Sequence, residues 1–161
     1  MDSRKEKIWD NIATINVPDC FKVSTIGEMR KVYGINKNMP EKMLVDREKR
    51  AFFSVNKMEE PKLQQEKGIV EVAQIVNHLL GRSVPGYKCK GIYKKQIQGR
   101  EACVVQYTSY TIEDNIYTMM LLMQDKQDVY MLNCVCKNAL VPELHPVFLG
   151  VIESVQYEGD N

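Results

Sequence analysis

The most informative stretch of this sequence is Ile116-Tyr117-Thr118-Met119-Met120-Leu121-Leu122-Met123. Side chains alternate between the two faces of a β-strand, and here both alternating sets are apolar. A strand of this kind is buried on both faces, so the sheet that contains it must be covered twice. We therefore expect a central strand between two covering layers. The alternative is that one of its faces is an open, concave floor that receives a segment of another protein.

The sequence around this strand predicts a meander of four strands. They are expected over residues 87–97, 101–110, 115–123 and 129–136, after a turn at Pro85-Gly86. The connections between them are too short for helical crossovers, which requires antiparallel neighbours. A final helix begins at Val141-Pro142-Glu143, and its apolar face should pack on the sheet.

The first half of the chain supplies a short helix, a hairpin and a long helix. Thr25 and Glu28 have the spacing of a capping box, and Gly34 is suited to end the helix that they begin. A charged turn at 46–49 separates two apolar runs, which predicts a hairpin. After Pro61, apolar residues recur at three- and four-residue steps over 63–80 and predict a long amphipathic helix.

These elements define an α+β fold. We expect an antiparallel sheet of about five to seven strands that carries the two longer helices. Residues 12–23 are interpreted as a short edge strand or an extended lead-in to the domain. No repeat, low-complexity tract or Gly/Ser linker points to a second domain.

Composition and charge exclude several classes of protein. The chain has 161 residues, with 22 basic and 21 acidic side chains and a net charge of +1. No global field therefore recruits nucleic acid or an anionic membrane. The most apolar run is far shorter than the ~20 residues that cross a bilayer. Five cysteines cannot all pair within one chain, so we expect reduced thiols and a cytoplasmic location. No export signal is expected, because residues 8–12 do not form the apolar core that would follow the basic start of a signal peptide.

No metal, cofactor or catalytic residue is predicted. Cys134 and Cys136 share one face of a strand, but zinc prefers four ligands and neither His78 nor His145 stands at a matching offset. A cysteine nucleophile needs an imidazole within hydrogen-bond reach, and no local motif supplies one. We therefore expect a protein that is not an enzyme. The alternative is a small hydrolase that uses one of these thiols with one of the two histidines.

The first strand of the meander is basic. Lys88, Lys90, Lys94 and Lys95 lie on it, with Tyr87 and Tyr93 interleaved. Strands that alternate aromatic and basic residues can bind single-stranded nucleic acid. Lysines on an exposed edge strand also prevent sheets from joining edge to edge, and we favour this interpretation.

The order of features resembles the bacterial branch of the PsbP-like fold. The fold as a whole also includes a Ran-binding nuclear-import factor and the Eag chaperones of type VI secretion effectors. The residues that carry the resemblance are Pro18-Asp19-x-Phe21-Lys22, Tyr33-Gly34, Pro40, Ala51-Phe52-Phe53-Ser54-Val55, Pro85-Gly86, Ile97-Gln98-Gly99-Arg100-Glu101-Ala102, Ile116-Tyr117-x-Met119-Met120 and Ile152-Glu153-Ser154-Val155. The resemblance implies an αβα sandwich around a mainly antiparallel sheet. It spans one domain at 12–157, with an N-terminal extension at 1–11 and a tail at 158–161.

The resemblance implies a binding module without a catalytic constellation. We expect a protein partner, with a chaperone or adaptor as the specific role, and a monomer or homodimer. If the doubly apolar strand has an open face, the partner-binding residues are Met119, Met123, Met131, Tyr117 and Tyr107, since thioethers repack around varied ligands. Another alternative is a structural protein that self-associates through an uncovered strand edge.

Overall fold

A computed structural model describes residues 2–34, 39–58, 68–125 and 128–158. Within them, ten strands form two antiparallel sheets, accompanied by three α-helices. The strands are β1 (Ser3–Ile8), β2 (Ala13–Pro18), β3 (Lys22–Val23), β4 (Lys42–Asp46), β5 (Ala51–Met58), β6 (Lys88–Ile97), β7 (Arg100–Tyr110), β8 (Asn115–Asp125), β9 (Asp128–Lys137) and β10 (Gln156–Tyr157). The helices are α1 (Ile26–Tyr33), α2 (Ile69–Ser83) and α3 (Val141–Glu153).

The main sheet has seven strands in the order β3-β4-β5-β9-β8-β7-β6. Helix α2 packs on one face, which we call the α2 face. Helix α3 and the small sheet β1-β2-β10 cover the opposite face. The expected α+β fold, the four-strand meander and the helix-flanked antiparallel sheet are confirmed.

The doubly apolar stretch lies in β8, between β9 and β7. Met119 and Leu121 pack in the core beneath α3, whereas Met120 and Leu122 pack in the core beneath α2. All four side chains are at most 2% exposed. The expectation of a central strand covered on both faces is confirmed, because alternating side chains enter two separate cores.

The N-terminal boundary differs from the sequence prediction. Residues 1–11 were expected to precede the domain, but Ser3–Ile8 form β1, which pairs with β2 along its whole length. The interpretation of residues 12–23 as an edge strand or lead-in is also wrong for β2, which is the middle strand of the small sheet. Four consecutive charged residues, Arg4 to Lys7, occupy both sides of β1. The segment therefore lacks the apolar alternation that predicts a strand.

The turn between β1 and β2 has residues in the left-handed backbone conformation and connects the small sheet to Glu41 and to β9 of the main sheet. Trp9, Asp10 and Asn11 have φ values of 54°, 56° and 67°. The Glu41 carboxylate accepts hydrogen bonds from the backbone N–H groups of Trp9 and Asp10 at 2.8 and 2.5 Å. The buried Trp9 indole donates to the backbone carbonyl of Met131 at 3.0 Å. Such a conformation persists only where its surroundings enforce it.

The helices begin and end close to the predicted positions. Thr25 and Glu28 form the expected capping box, and Gly34 ends α1 with φ 81°. Helix α2 is described from Ile69, so the predicted start near Pro61 lies outside the described residues. In α3, Leu144 and Phe148 are among the buried residues that face the sheet. Among the described helices, none has the length and apolar character needed to cross a bilayer.

Candidate functional site

The five residues predicted to bind a partner are all buried. Met119, Met123 and Tyr117 are 0%, 3% and 5% exposed and lie in the core beneath α3. Met131 and Tyr107, each 9% exposed, lie in the core beneath α2. The structure thus places them on opposite faces of the sheet, and they line no open floor in this conformation. A role for them in partner binding stays a prediction that requires a covering layer to move.

The candidate cysteine nucleophiles are buried and held as thiols. Cys134 and Cys136 are 0% and 1% exposed on the same side of β9. Burial raises the pKa of Cys136 to about 11 and raises the pKa of Cys134 well above its ordinary value. The His145 ring lies 6.5 Å from the Tyr117 ring, and His78 is exposed on α2. A buried neutral thiol is a poor nucleophile because the thiolate is the reactive form.

The candidate docking surface is a groove on the α2 face, between α1 and the β7–β8 turn. Its volume is about 500 Å³. The floor consists of Val45, Phe52 and Val135, which stand side by side on β4, β5 and β9, together with Ile116 of β8. These four apolar side chains are half-buried. Among the residues that the structure describes, none fully covers this part of the sheet.

Helix α1 forms one wall of the groove and is held mainly by polar contacts. No residue of α1 is buried, and Val32 is 49% exposed where it lines the groove. The guanidinium of Arg47 donates to both oxygens of Glu28 at 2.8 and 2.7 Å. The Tyr33 hydroxyl donates to Ser54 Oγ at 2.7 Å, and its ring meets Phe52 edge-on at 6.3 Å. No residue of α1 belongs to either of the two buried cores.

The turn at residues 111–114 forms the opposite wall and is closed by hydrogen bonds around Thr111. The Thr111 hydroxyl oxygen accepts from the backbone N–H groups of Glu113 and Asp114 at 3.3 and 3.0 Å. The Thr111 N–H donates to the Asp114 carbonyl at 2.9 Å. Ile112, at the tip, is 106% exposed. The turn therefore presents one large apolar side chain to solvent at the edge of the groove.

An exposed aromatic ring continues this wall. Tyr110 is 60% exposed and lies with Pro85 and Ile112 around a shallow hollow beside the groove. Its N–H donates to the Pro85 carbonyl at 3.0 Å, and its ring rests on Gly86. The hollow adjoins the groove, because both are lined by Thr111 and Glu113. We call the groove floor, Val32, Tyr110 and Ile112 together the groove surface.

Charges of both signs surround the groove surface. Glu28, Arg50 and Lys137 are among the residues that line it. Most of the basic side chains in this lining form ion pairs with acidic side chains of the same lining. Arg50 lies 3.5 Å from Glu113, and Lys137 lies 3.4 Å from Asp114. The Arg47 side chain lowers the pKa of Glu28 to about 2. An apolar centre with a polar, paired rim is the usual anatomy of a protein-binding surface.

Sequence reasoning missed the groove surface because its residues are far apart in the chain. Two local signals were available. The α1 sequence is amphipathic yet short, and Ile112 stands alone between polar residues in a turn. Neither signal reveals that α1 and the turn approach the same half-buried row of the sheet, because that depends on strand order.

The fold occurs in solved structures of otherwise dissimilar sequence. No protein-family model matches the chain, and no curated protein matches it. The cyanobacterial PsbP (CyanoP) of Synechocystis sp. PCC 6803 is similar with a TM-score of 0.69 and 8% identity, over 96% of this chain and 92% of that one. The Ran-binding protein Mog1p of Saccharomyces cerevisiae is similar with a TM-score of 0.64 and 10% identity, over 99% of this chain and 97% of that one. A putative regulator of unknown function, PA94 of Pseudomonas aeruginosa, is similar with a TM-score of 0.59 and 11% identity, over 96% of each chain.

Proposed function

We propose that this chain, which has the fold shared by PsbP and Mog1p, is a non-catalytic protein-binding module that docks a protein segment on the groove surface. Its specific role would be that of a chaperone or adaptor for a partner protein in the cytoplasm. The observation that carries the proposal is a half-buried apolar floor beside a hollow where Ile112 is fully exposed. The groove and the hollow share Thr111 and Glu113 in their linings.

The energetics favour docking at this surface. Burying a large apolar side chain contributes about 1.5–3 kcal/mol, so two or three anchors from either side offset a large part of the cost of association. The turn and the sheet floor are already ordered, so little conformational entropy is lost on their account. Mog1p, which shares the fold, is a Ran-binding protein, and this supports a protein partner.

The chemistry of the thiols supports a role without catalysis. The two thiols that sequence reasoning offered as nucleophiles have raised pKa values, which keep them protonated near neutral pH. All five cysteines are free, which supports the reducing environment of a cytoplasm.

Photo-crosslinking tests this proposal. A photoreactive amino acid replaces Ile112 at the groove surface or, as a matched control, Lys5 on the exposed side of β1. Irradiation in cells that produce the chain should give a discrete adduct with another protein from position 112 and none from position 5. The absence of an adduct at position 112, or the same adducts from both positions, contradicts the proposal. An adduct of two copies of this chain would instead favour the self-associating structural protein.

A further inference from the structure

The edge strand β6 concentrates positive charge in a chain that is almost neutral. Its sequence, KCKGIYKKQI, contains four lysines and no acidic residue, whereas the whole chain has a net charge of +1. Lys88, Lys90 and Lys94 are exposed, and Lys95 lies 3.1 Å from Glu153 of α3. Among the described residues, none forms an ion pair with the three exposed lysines.

The backbone of β6 is available along one side. In the described part of the chain, β7 is the only strand beside it. Alternate N–H and C=O groups of an edge strand point away from its neighbour and can pair with a further strand. The other edge of the sheet, β3, has only two residues, whereas β6 has ten. The register is irregular only between Cys89 and Gly91, so Ile92–Ile97 is a regular edge.

The lysines make this edge selective. Like charges repel a second copy of β6, and desolvating lysines disfavours an uncharged strand. An acidic strand meets neither obstacle, because its carboxylates lie opposite the ammonium groups. Main-chain hydrogen bonds then supply affinity, and side-chain charge supplies the choice of partner.

From these observations we infer that the Ile92–Ile97 edge of β6 accepts an acidic, extended segment of another protein as an eighth strand of the main sheet. This is a second binding surface, since β7 separates β6 from the strands of the groove floor. The whole chain can therefore hold a partner on the groove surface and an acidic strand at the same time.

Amide hydrogen exchange with a synthetic peptide tests this inference. The probe is a ten-residue peptide in which glutamate alternates with threonine and valine, and the control peptide has lysine in place of each glutamate. The acidic peptide should slow exchange of the outward-pointing amides of Ile92–Ile97 at least tenfold, because strand addition gives them acceptors. The basic peptide should leave them unchanged.

Charge-reversal variants provide the second arm. Lys88→Glu with Lys94→Glu should weaken binding of the acidic peptide at least tenfold. Lys5→Glu with Lys22→Glu makes the same change in net charge on other strands and should leave binding unaltered. Full-length chain is used throughout.

The following results overturn the inference. Peptide binding without protection of the β6 amides would show attraction of charge alone, and equal competition by polyuridylate would indicate a general polyanion surface. Failure of the peptide to bind, or an equal effect of the two double variants, would remove the edge as a site. Protection that rises with protein concentration in the absence of peptide would assign the edge to a second copy.

Discussion

The Tyr110 ring lies directly on Gly86, so closely that a Cβ at position 86 would be 2.1 Å from a ring carbon. Gly86 also has φ 65°, a left-handed conformation that glycine adopts without strain. We predict that Gly86→Ala displaces the ring, lowers the melting temperature and weakens partner binding at the groove surface. A left-handed alanine alone costs roughly 1–2 kcal/mol. Thermal unfolding and a binding titration measure the two effects.

The matched control for this variant is Gly99→Ala. Gly99 has φ 77°, but nothing lies within 4 Å of the position that a Cβ would take. This variant carries the backbone strain without the collision, so it should lower the melting temperature less and leave partner binding intact. Equal effects of the two substitutions on binding would show that the position of Tyr110 is irrelevant.

The attachment of α1 should depend on acidity through Glu28. Its pKa falls from 4.5 to about 2 in the fold, chiefly because Arg47 donates hydrogen bonds to the carboxylate. A carboxylate with a lowered pKa stabilises the folded state above its unfolded pKa, and this contribution is lost as the pH falls through the folded value. We predict that the exchange protection of α1 amides decreases between about pH 4.5 and 2.

The control for that prediction is Glu28→Gln, which keeps a hydrogen-bonding side chain in the capping box but removes the charge. Its α1 protection should be lower at neutral pH and nearly independent of pH. Protection factors of the α1 amides, measured by hydrogen exchange across this pH range, compare the wild-type chain with the variant. A wild-type profile that is as flat as that of Glu28→Gln would show that the contact with Arg47 does not hold the helix.

Met119 and Ile112 should respond in opposite ways to the same substitution. Met119 is 0% exposed, so Met119→Asp places a carboxylate in the core and should unfold the domain. Ile112 is fully exposed, and Ile112→Asp should change the free energy of unfolding by less than about 0.5 kcal/mol. Urea denaturation measures both. A folded Met119→Asp variant that loses its partner would revive the interpretation of β8 as an open floor.

The cysteines should separate into two classes by rate of alkylation. Cys20 and Cys89 are exposed, whereas Cys103, Cys134 and Cys136 are buried. With its pKa near 11, Cys136 has little thiolate at neutral pH and should label only when the chain unfolds. Mass spectrometry after timed labelling gives the rates. Rapid labelling of Cys134 or Cys136 in the folded protein would favour the hydrolase instead.

Local patterns predicted most of the fold. Strands β6 to β9 were found because their apolar alternation and short turns leave only antiparallel pairing, and α1 was found from its capping box. Strand β1 was missed because its side chains are mostly charged, and its place depends on the Trp9 indole reaching Met131 across 122 positions of the chain. Pairing at such separation leaves no local pattern in a single sequence.

The candidate site was less accessible from the sequence. The methionines of β8 were predicted to bind a partner because exposed thioethers can repack around varied ligands. The alternation of apolar residues along β8 does not show which layers cover each face. The groove is lined by Val32 and the row from Val45 to Val135, and Ile112 lines the adjoining hollow. The strand order brings these residues near one another. An isolated isoleucine in a turn is too common a feature to have identified the surface by itself.

The central claim is tested most directly by the dissociation constant for the partner that crosslinks at position 112. Ile112→Asp is compared with Val23→Asp, which changes an apolar side chain that is 52% exposed outside the groove surface. An interface hot spot contributes about 2 kcal/mol or more, so Ile112→Asp should raise the constant roughly 30-fold while Val23→Asp leaves it within about twofold. An unchanged constant for a natively folded Ile112→Asp variant would contradict docking at this surface.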